Sequence, residues 1–231
     1  MELKTGRIIK KNVQELIKEI KQHSSEPQRV QIIAVTKTYN STAIESAIKN
    51  NIFIIGENKV QETKQKLQTY KKPQKLKIHM IGHLQTNKAQ EAVKLYDVIE
   101  TVDSIKLAKA LNRAANNNNK QQDIYIQVNI SRNKNQHGAK PEDLKKLILN
   151  ILELKKLNIL GIMAIGANTT NKETIKKTYV ELQQIKEKTE KETKIIFKET
   201  SLGMSGDYIQ ALEAGATQIR IGTKLFGVRL C

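Results

Sequence analysis

Lys37 is the residue of this sequence whose position most suggests a reactive role, because it follows a short β-branched run, 29–35, after one threonine. A lysine at the end of a strand usually extends its amine into solvent. In a poorly hydrated site beside another cation, its pKa instead falls from about 10.4, and the neutral amine can attack a carbonyl carbon to form a Schiff base. The position of Lys37 alone leaves both interpretations open.

The segment 201–207 has the composition of an anion-binding loop. It contains hydroxyl groups and two glycines, and Asp207 is placed to cap a helix that begins near Tyr208, so that backbone N–H groups point toward an anion. Taken alone, such a segment is more often an ordinary turn. Together with Arg220, which lies in a later apolar run, and with Lys37, it favours a phosphate site.

The elements between these residues must bring them together. Eight short runs rich in β-branched residues recur along the chain, at 29–35, 52–55, 77–81, 97–102, 124–130, 159–164, 195–199 and 218–221. Segments with helical spacing of apolar residues separate the runs, and one more, 13–20, precedes the first. This alternation predicts an α/β fold, a single (β/α)8 TIM barrel domain over residues 1–231 with an extra N-terminal helix. An open doubly wound sheet, which usually has fewer strands, is the alternative.

In a TIM barrel the active site lies at the carboxyl ends of the strands, and phosphate often binds at the loops after the seventh and eighth. The segment 201–207, Gly222 and Thr223 follow those two runs. Because a barrel closes on itself, the first strand, which leads to Lys37, lies beside the eighth. A phosphate site next to a lysine that can attack a carbonyl suggests pyridoxal 5′-phosphate (PLP) as the bound cofactor.

Five motifs give the sequence a more specific similarity. They are AVTKTYN, IGENKVQE, IHMIGHLQTNK, GIMAIG and SLGMSGDYIQALEAGATQIRIGTKLFG. These motifs resemble those of the pyridoxal phosphate homeostasis protein family, whose members are short relatives of the N-terminal barrel of alanine racemase. The similarity runs from about Ile32 to Arg229, essentially the whole predicted domain. It therefore implies a PLP-binding barrel of the alanine racemase N-terminal type.

The resemblance implies nine cofactor-binding positions: Lys37, Asn58, Met163, Ser201, Met204, Ser205, Arg220, Gly222 and Thr223. It implies that Lys37 forms the internal aldimine with PLP, that Asn58 lies beside the cofactor, and that Arg220 faces the pyridine nitrogen. The phosphate would be held by one side chain and three backbone segments: Ser205 and the backbone of Met204, Gly222 and Thr223. The remaining two residues, Met163 and Ser201, correspond to family positions that line the pocket.

The function that the resemblance implies is PLP binding for intracellular vitamin B6 homeostasis. A cation at Arg220 disfavours protonation of the ring nitrogen and weakens the ring as an electron sink. The racemases add a second, β-rich domain and use a tyrosine of a partner subunit, whereas two residues follow Arg229 here. We therefore expect no strong catalytic turnover, and we expect PLP-dependent apoenzymes as recipients of the cofactor. A PLP-dependent amino-acid racemase or lyase is the alternative.

Two positions depart from the family pattern. Gln136 stands where the family usually has a lysine two residues before Gly138, and 166–168 follow Met163 where the family often has proline-containing segments. Both departures fall on the predicted rim of the barrel rather than in the cofactor site. We expect them to affect a regulatory or partner surface.

The net charge of +17, from 40 Lys and Arg against 23 Asp and Glu, makes polyanion or nucleic-acid binding a further alternative. Lysine outnumbers arginine 34 to 6, whereas base recognition and bidentate phosphate binding favour arginine. Aromatic residues make up 4% of the chain, which leaves little surface for base stacking. We therefore expect a solvated basic surface and no specific nucleic-acid partner.

The remaining features suit a cytoplasmic protein, which we expect to be a monomer without a membrane segment. The longest apolar stretch, 159–167, is too short for a bilayer, which takes roughly 20 residues, and no signal peptide is recognisable. The single cysteine, Cys231, excludes an intrachain disulfide. No HxH, HExxH or CxxC spacing is present, so we expect no metal. Among the histidines, we expect His79 to fill the barrel and His83 to lie near its mouth.

Overall fold

The computed structural model describes residues 6–133 and 135–227, in which eight parallel strands close into one barrel. The strands follow one another around the barrel in chain order: β1 (Gln31–Val35), β2 (Ile54–Glu57), β3 (Lys77–Met80), β4 (Val98–Val102), β5 (Gln122–Val128), β6 (Leu157–Ala164), β7 (Glu199–Met204) and β8 (Gln218–Ile221). The pairing of β8 with β1 closes the sheet. The predicted (β/α)8 barrel is therefore confirmed, and the open sheet is excluded. Cys231 and Arg229 lie outside the described residues.

Helices cover the outside of the barrel within the described ranges: α1 (Lys10–His23), α2 (Ser41–Lys49), α3 (Val60–Thr69), α4 (Ala89–Leu95), α5 (Ile105–Asn117), α6 (Leu144–Leu152), α7 (Lys172–Thr193), α8 (Tyr208–Glu213) and α9 (Thr223–Phe226). The predicted N-terminal helix is α1. Its Asn12 side chain donates to the Lys224 carbonyl at 2.7 Å, which ties α1 to the segment after β8. In the described part of the chain, every helix is too short or too polar to span a bilayer.

The seventh strand differs from the prediction. The β-branched run 195–199 is irregular until its last residue, and β7 begins at Glu199 and extends through Met204. Ile196 in that run is 77% exposed. The prediction was wrong because β7 carries polar side chains and a glycine, so its hydrophobic pattern is weaker than that of the apolar run before it. Most of the segment 201–207 therefore belongs to the strand, and only 205–207 follow it.

The two faces of the barrel wall have opposite character. The outward side chains are aliphatic and lie buried against the helices: Ala34, Ile55, Ile78, Ile99, Ile124, Ile162, Leu202 and Ile219. Several inward side chains are polar: His79, Glu100, Tyr125, Ser201, Gln218 and Arg220. Branched apolar residues more commonly fill such interiors. Because buried polar groups are costly unless they are hydrogen-bonded, the inner face must contain a connected network.

Candidate functional site

A cavity of about 620 Å³ opens at the carboxyl ends of the strands. Seven of the nine predicted binding residues line it: Lys37, Asn58, Met204, Ser205, Arg220, Gly222 and Thr223. Lys37 and Arg220 meet there because β1 pairs with β8, with Ile33 opposite Arg220. The volume lies within the range of small-molecule sites, roughly 300–1,000 Å³.

Lys37 is half-buried in a turn after β1, and both of its neighbours in the chain are anchored. The Thr36 hydroxyl donates to Glu57 Oε1 at 2.5 Å. The Thr38 N–H donates to the Glu62 carboxylate, and Thr38 has a φ of 70°, in the left-handed region. Such a conformation costs about 1–3 kcal/mol and persists only where the surrounding contacts maintain it. These contacts therefore determine where the Lys37 side chain begins.

Lys66 of α3 joins these anchors into one buried network. Its amine donates to the Thr36 carbonyl at 2.8 Å, to Glu57 at 2.7 Å and to Glu62 at 2.9 Å. The Lys66 side chain is 1% exposed. Sequence reasoning missed this network, although the i,i+4 spacing of Glu62 and Lys66 was a usable signal for an ion pair. Only the fold shows that the pair lies against the turn that carries Lys37.

Burial controls the charge of this network. Loss of hydration raises the pKa of Glu57 above its ordinary value of 4.5, and the attraction of Lys66 opposes that rise. Glu57 Oε2 is buried without a hydrogen-bond partner among the described residues, which is costly for a carboxylate oxygen. When Glu57 is neutral, Glu62 and Lys66 remain as a balanced ion pair.

Replacement of Glu57 by glutamine is expected to change how stability depends on pH. A carboxyl group whose pKa is raised by folding stabilises the native state most at pH values below 4.5, and this contribution declines as the pH rises through the raised pKa. Glutamine keeps an acceptor but does not titrate. Urea unfolding at increasing pH should show the wild-type free energy of unfolding falling relative to that of Glu57→Gln. A difference that stays constant with pH would contradict this assignment.

Arg220 is held by a buried chain of side chains that crosses the barrel interior. Its Nη1 donates to the Ser201 carbonyl at 2.7 Å and to Ser201 Oγ at 2.8 Å, and its Nη2 donates to the Ala164 carbonyl at 2.8 Å. The Ser201 hydroxyl donates to Glu100 Oε2 at 2.6 Å, and Glu100 Oε1 lies 2.6 Å from His79 Nδ1. His79 is thus a hydrogen-bonded filler of the barrel, as expected. This hydrogen-bonded series of side chains maintains one orientation of Arg220 beside the cavity.

Two of the nine predicted residues lie beneath the cavity rather than in its lining. Ser201 is fully buried and reaches the site through Arg220. Met163 is fully buried and packs with Tyr125 in the barrel interior. Sequence reasoning also missed Glu100, whose signal was a single carboxylate within the mostly apolar strand β4.

Ser205 and the segment after β8 form a cup of hydrogen-bond donors. Ser205 Oγ accepts from the Gly222 N–H at 3.2 Å and from the Lys224 N–H at 3.3 Å. A Cβ built on Gly206 would meet no atom within 4 Å, and one on Gly222 would lie 3.6 Å from its nearest neighbour, so the wall of the cup is uncrowded. These two N–H groups donate to Ser205 Oγ, and the Ser205 hydroxyl keeps its own proton to donate. A hydroxyl supported by backbone N–H groups and lying beside a guanidinium suits phosphate.

Asp207 supports this loop in a different way from the prediction. It occupies the position before α8 but forms no side-chain cap, so the expected cap is wrong. Its Oδ1 accepts the Met204 N–H at 2.6 Å and its Oδ2 accepts the Tyr179 hydroxyl at 2.6 Å, so both oxygens already have partners. Burial, with the nearby Asp207 carboxylate, raises the pKa of Tyr179, which therefore remains a donor. Asp207 closes the loop onto α7 instead of exposing a helix end.

Asn58 lines the cavity and carries an unsatisfied acceptor. Its Oδ1 is buried and has no hydrogen-bond partner in the described part of the chain. The backbone of Asn58 leaves no room for a side chain at position 82, because a Cβ on Gly82 would lie 2.4 Å from the Asn58 carbonyl oxygen. A buried acceptor without a partner in the lining of a cavity fits a bound molecule that brings a donor.

The two departures from the family pattern have structural roles at the rim. The Gln136 side chain donates to the Ile165 carbonyl at 3.2 Å and accepts from the Ser131 hydroxyl, which ties the loop after β5 to the end of β6. A Cβ on Gly166 would lie 2.6 Å from the Tyr179 hydroxyl. Glycine at this position therefore permits the hydrogen bond from Tyr179 to Asp207. Both positions border a second cavity of about 640 Å³ that adjoins the first.

Comparison with known proteins finds similar sequences and similar structures. The family model described as the N-terminal domain of alanine racemase matches residues 8–230. The chain is 35% identical over 204 residues to the pyridoxal phosphate homeostasis protein of Synechocystis, which covers 88% of this chain and 94% of that protein. PipY of Synechococcus elongatus, solved without PLP, is 31% identical with a TM-score of 0.87, over 95% of this chain and 100% of PipY. The PipY structure with PLP bound is 30% identical with a TM-score of 0.83, over 94% and 100%.

Proposed function

The chain belongs to the pyridoxal phosphate homeostasis protein family, and on this premise we propose that it binds PLP in the cavity at the mouth of its barrel and serves PLP homeostasis. The observation that carries the proposal is that Lys37, Arg220 and the Ser205 cup line one cavity, although they come from opposite ends of the chain. The related PipY structure with bound PLP supports the choice of cofactor.

The lining residues suit the chemical parts of PLP. The phosphate suits the cup of Ser205 and the backbone around Gly222, the pyridine nitrogen suits Arg220, and the aldehyde suits the Lys37 amine. When bound, PLP supplies an aldehyde that condenses reversibly with primary amines and a ring that withdraws electrons. The buried Asn58 acceptor, which lacks a partner among the described residues, adds one more polar contact for the ligand. Ser201 and Met163 support the site from below.

We propose that the protein holds PLP without strong turnover. The guanidinium of Arg220 is oriented by Ser201 and Ala164, and a cation there opposes protonation of the ring nitrogen, which weakens carbanion chemistry. The names of the relatives as homeostasis proteins support the same role. Incubation of the PLP-loaded protein with alanine or serine tests it. Racemisation or consumption of the amino acid that disappears in Lys37→Ala would refute the non-catalytic assignment.

We further propose that residues 1–231 act as a single PLP-binding domain, as a cytoplasmic monomer, with PLP-dependent apoenzymes as recipients. The described residues that line the cavity lie between Val35 and Thr223 of one chain, which suits a monomer. Activity regained by a PLP-dependent apoenzyme after mixing with the loaded protein tests delivery. A rate of recovery equal to that with free PLP at the same concentration would contradict directed delivery, and sedimentation of a dimer would contradict the monomer.

Borohydride reduction of the PLP-treated protein tests the covalent part of the proposal. The expected product is one phosphopyridoxyl adduct, which peptide mapping assigns to Lys37. The chain has many other lysines, so a single labelled site is informative. A protein that stays unlabelled after PLP treatment, or is labelled at another lysine, would refute the role of Lys37.

Substitution of Ser205 by alanine is expected to weaken PLP binding roughly two- to tenfold, because one net hydrogen bond contributes about 0.5–1.5 kcal/mol. The loss should depend on the phosphate group, since Ser205 belongs to the donor cup. Absorbance titrations with PLP and with pyridoxal, which lacks the phosphate, provide the comparison. An equal loss for both ligands would place the effect of Ser205 elsewhere.

A further inference from the structure

Three potential metal ligands meet at the rim of the barrel, outside the lining of the cavity described above. His83, Asp103 and His137 each offer one ligand atom, and these atoms all lie within 4.8 Å of one another. The two imidazole rings stack with centroids 3.6 Å apart and planes 11° apart, and His83 Nδ1 lies 4.0 Å from Asp103 Oδ2. The three residues follow β3, β4 and β5, so three successive loops supply them.

The backbone segments that carry His83 and Asp103 are linked to each other. The Thr101 hydroxyl donates to the Gly82 carbonyl at 2.8 Å. Gly82 directly precedes His83, and Thr101 lies two residues before Asp103. This hydrogen bond therefore sets the separation of the two ligand-bearing segments.

The segment that carries His137 is anchored to the end of β5. The His137 carbonyl accepts from Gln127 Nε2 at 2.9 Å, and the Ala139 N–H donates to the Gln127 carbonyl at 2.7 Å. Gly138 has a φ of 135°, and a Cβ there would lie 2.5 Å from the Asn129 nitrogen, so the segment packs closely on the strand. The backbone under all three side chains is thus held in place before any ligand arrives.

We propose that His83, Asp103 and His137 form a binding site for a divalent transition-metal ion such as Zn²⁺. Two imidazole nitrogens and one carboxylate oxygen are ligands that Zn²⁺ accepts, and water can complete the coordination. Ligand atoms about 2.1 Å from a tetrahedral ion lie roughly 3.4 Å apart. Both imidazoles are exposed, so rotation about their side-chain bonds can unstack them and bring their nitrogens to that separation. Among the described residues, no lysine or arginine forms an ion pair with Asp103 that would compete for it.

Titration of the PLP-free protein with Zn²⁺ against a competing indicator tests the site. We expect one ion per chain, and we expect His137→Gln and Asp103→Asn each to weaken binding by at least about tenfold, since even outer-shell changes cost about that much. Matched controls are His23→Gln, whose histidine lies at the end of α1 and contacts Glu213 of α8, and Cys231→Ser, which removes the only thiol. Both controls should bind Zn²⁺ as the wild type does. Excess Zn²⁺ should also raise the unfolding midpoint of the wild type, and this shift should be lost in His137→Gln.

Three outcomes would overturn the proposal. The first is no binding at millimolar Zn²⁺. The second is binding that His137→Gln and Asp103→Asn leave unchanged. The third is binding that His23→Gln or Cys231→Ser abolishes. Because the experiment contains no PLP, its result does not depend on the proposed function.

Discussion

Lys37→Ala is expected to abolish covalent capture of PLP and to lower its affinity by more than tenfold, a loss of at least about 1.4 kcal/mol. The amine is the group in the cavity that can form a bond with the aldehyde, whereas Arg220 and the Ser205 cup offer only non-covalent contacts. The variant should therefore retain weak binding through the phosphate. Absorbance titration measures the affinity, and borohydride labelling followed by mass spectrometry measures the covalent fraction.

Lys59→Ala is the matched control for this prediction. Lys59 is an exposed lysine directly after Asn58, near the same end of the barrel. The Lys59→Ala variant should keep the wild-type fraction of borohydride-labelled protein and the wild-type affinity for PLP. Labelling of Lys37→Ala at the wild-type level, or equal losses in both variants, would show that the lysine after β1 does not capture the cofactor.

Lys66→Met is expected to lower the free energy of unfolding by about 3–5 kcal/mol, the range observed when one partner of a buried ion pair is removed. The amine of Lys66 has three acceptors at 2.7–2.9 Å, and methionine would remove this donor and its positive charge from all three. The turn around Lys37 should also loosen, because the Thr36 carbonyl and the Glu62 carboxylate both depend on the amine. We therefore expect weaker PLP binding as well as a lower midpoint in urea.

Lys64→Met provides a control on the same helix, α3. Lys64 forms an ion pair with Glu91 at 2.6 Å, but its side chain is 48% exposed. Exposed pairs contribute about 0–1 kcal/mol, so this variant should unfold nearly as the wild type does. Addition of Glu57→Gln to Lys66→Met should recover part of the lost stability, because it removes one buried acid that lacks its cation. Equal effects of Lys64→Met and Lys66→Met would contradict the importance of burial.

Local sequence patterns were sufficient to predict the barrel and most of its strands. Alternating β-branched runs and helical segments are short-range features, and each reports whether its own face is buried. They failed at β7, where the buried residues Thr200 and Ser201 are polar and the exposed Ile196 is apolar. The failure has a structural cause, since the buried Ser201 hydroxyl accepts a hydrogen bond from Arg220 and donates one to Glu100.

The grouping of Lys37 with Arg220 was also accessible from the sequence, because closure of an eight-stranded barrel makes the first and last strands neighbours. The positions of Met163 and Ser201 inside the barrel, below the cavity, were not accessible from the sequence. A residue implied to line a pocket can lie in the layer below it, since strand register decides how far along the barrel each inward side chain sits. The same reasoning applies to the proposed metal site, because its three residues come from three separate loops and share no sequence spacing.

The sequence alone determined the strand and helix order and, through its motifs, the family and the cofactor to be expected. These properties depend on neighbours along the chain and on residue types at short spacings. Only the tertiary structure decided that Lys66 supports the turn of Lys37 and that His79, Glu100 and Ser201 form a chain to Arg220. The physical reason is that a hydrogen bond across the barrel requires two side chains to meet within about 3 Å. Barrel closure, strand register and helix packing together decide whether two such side chains come that close. No single segment of the sequence specifies their separation by itself.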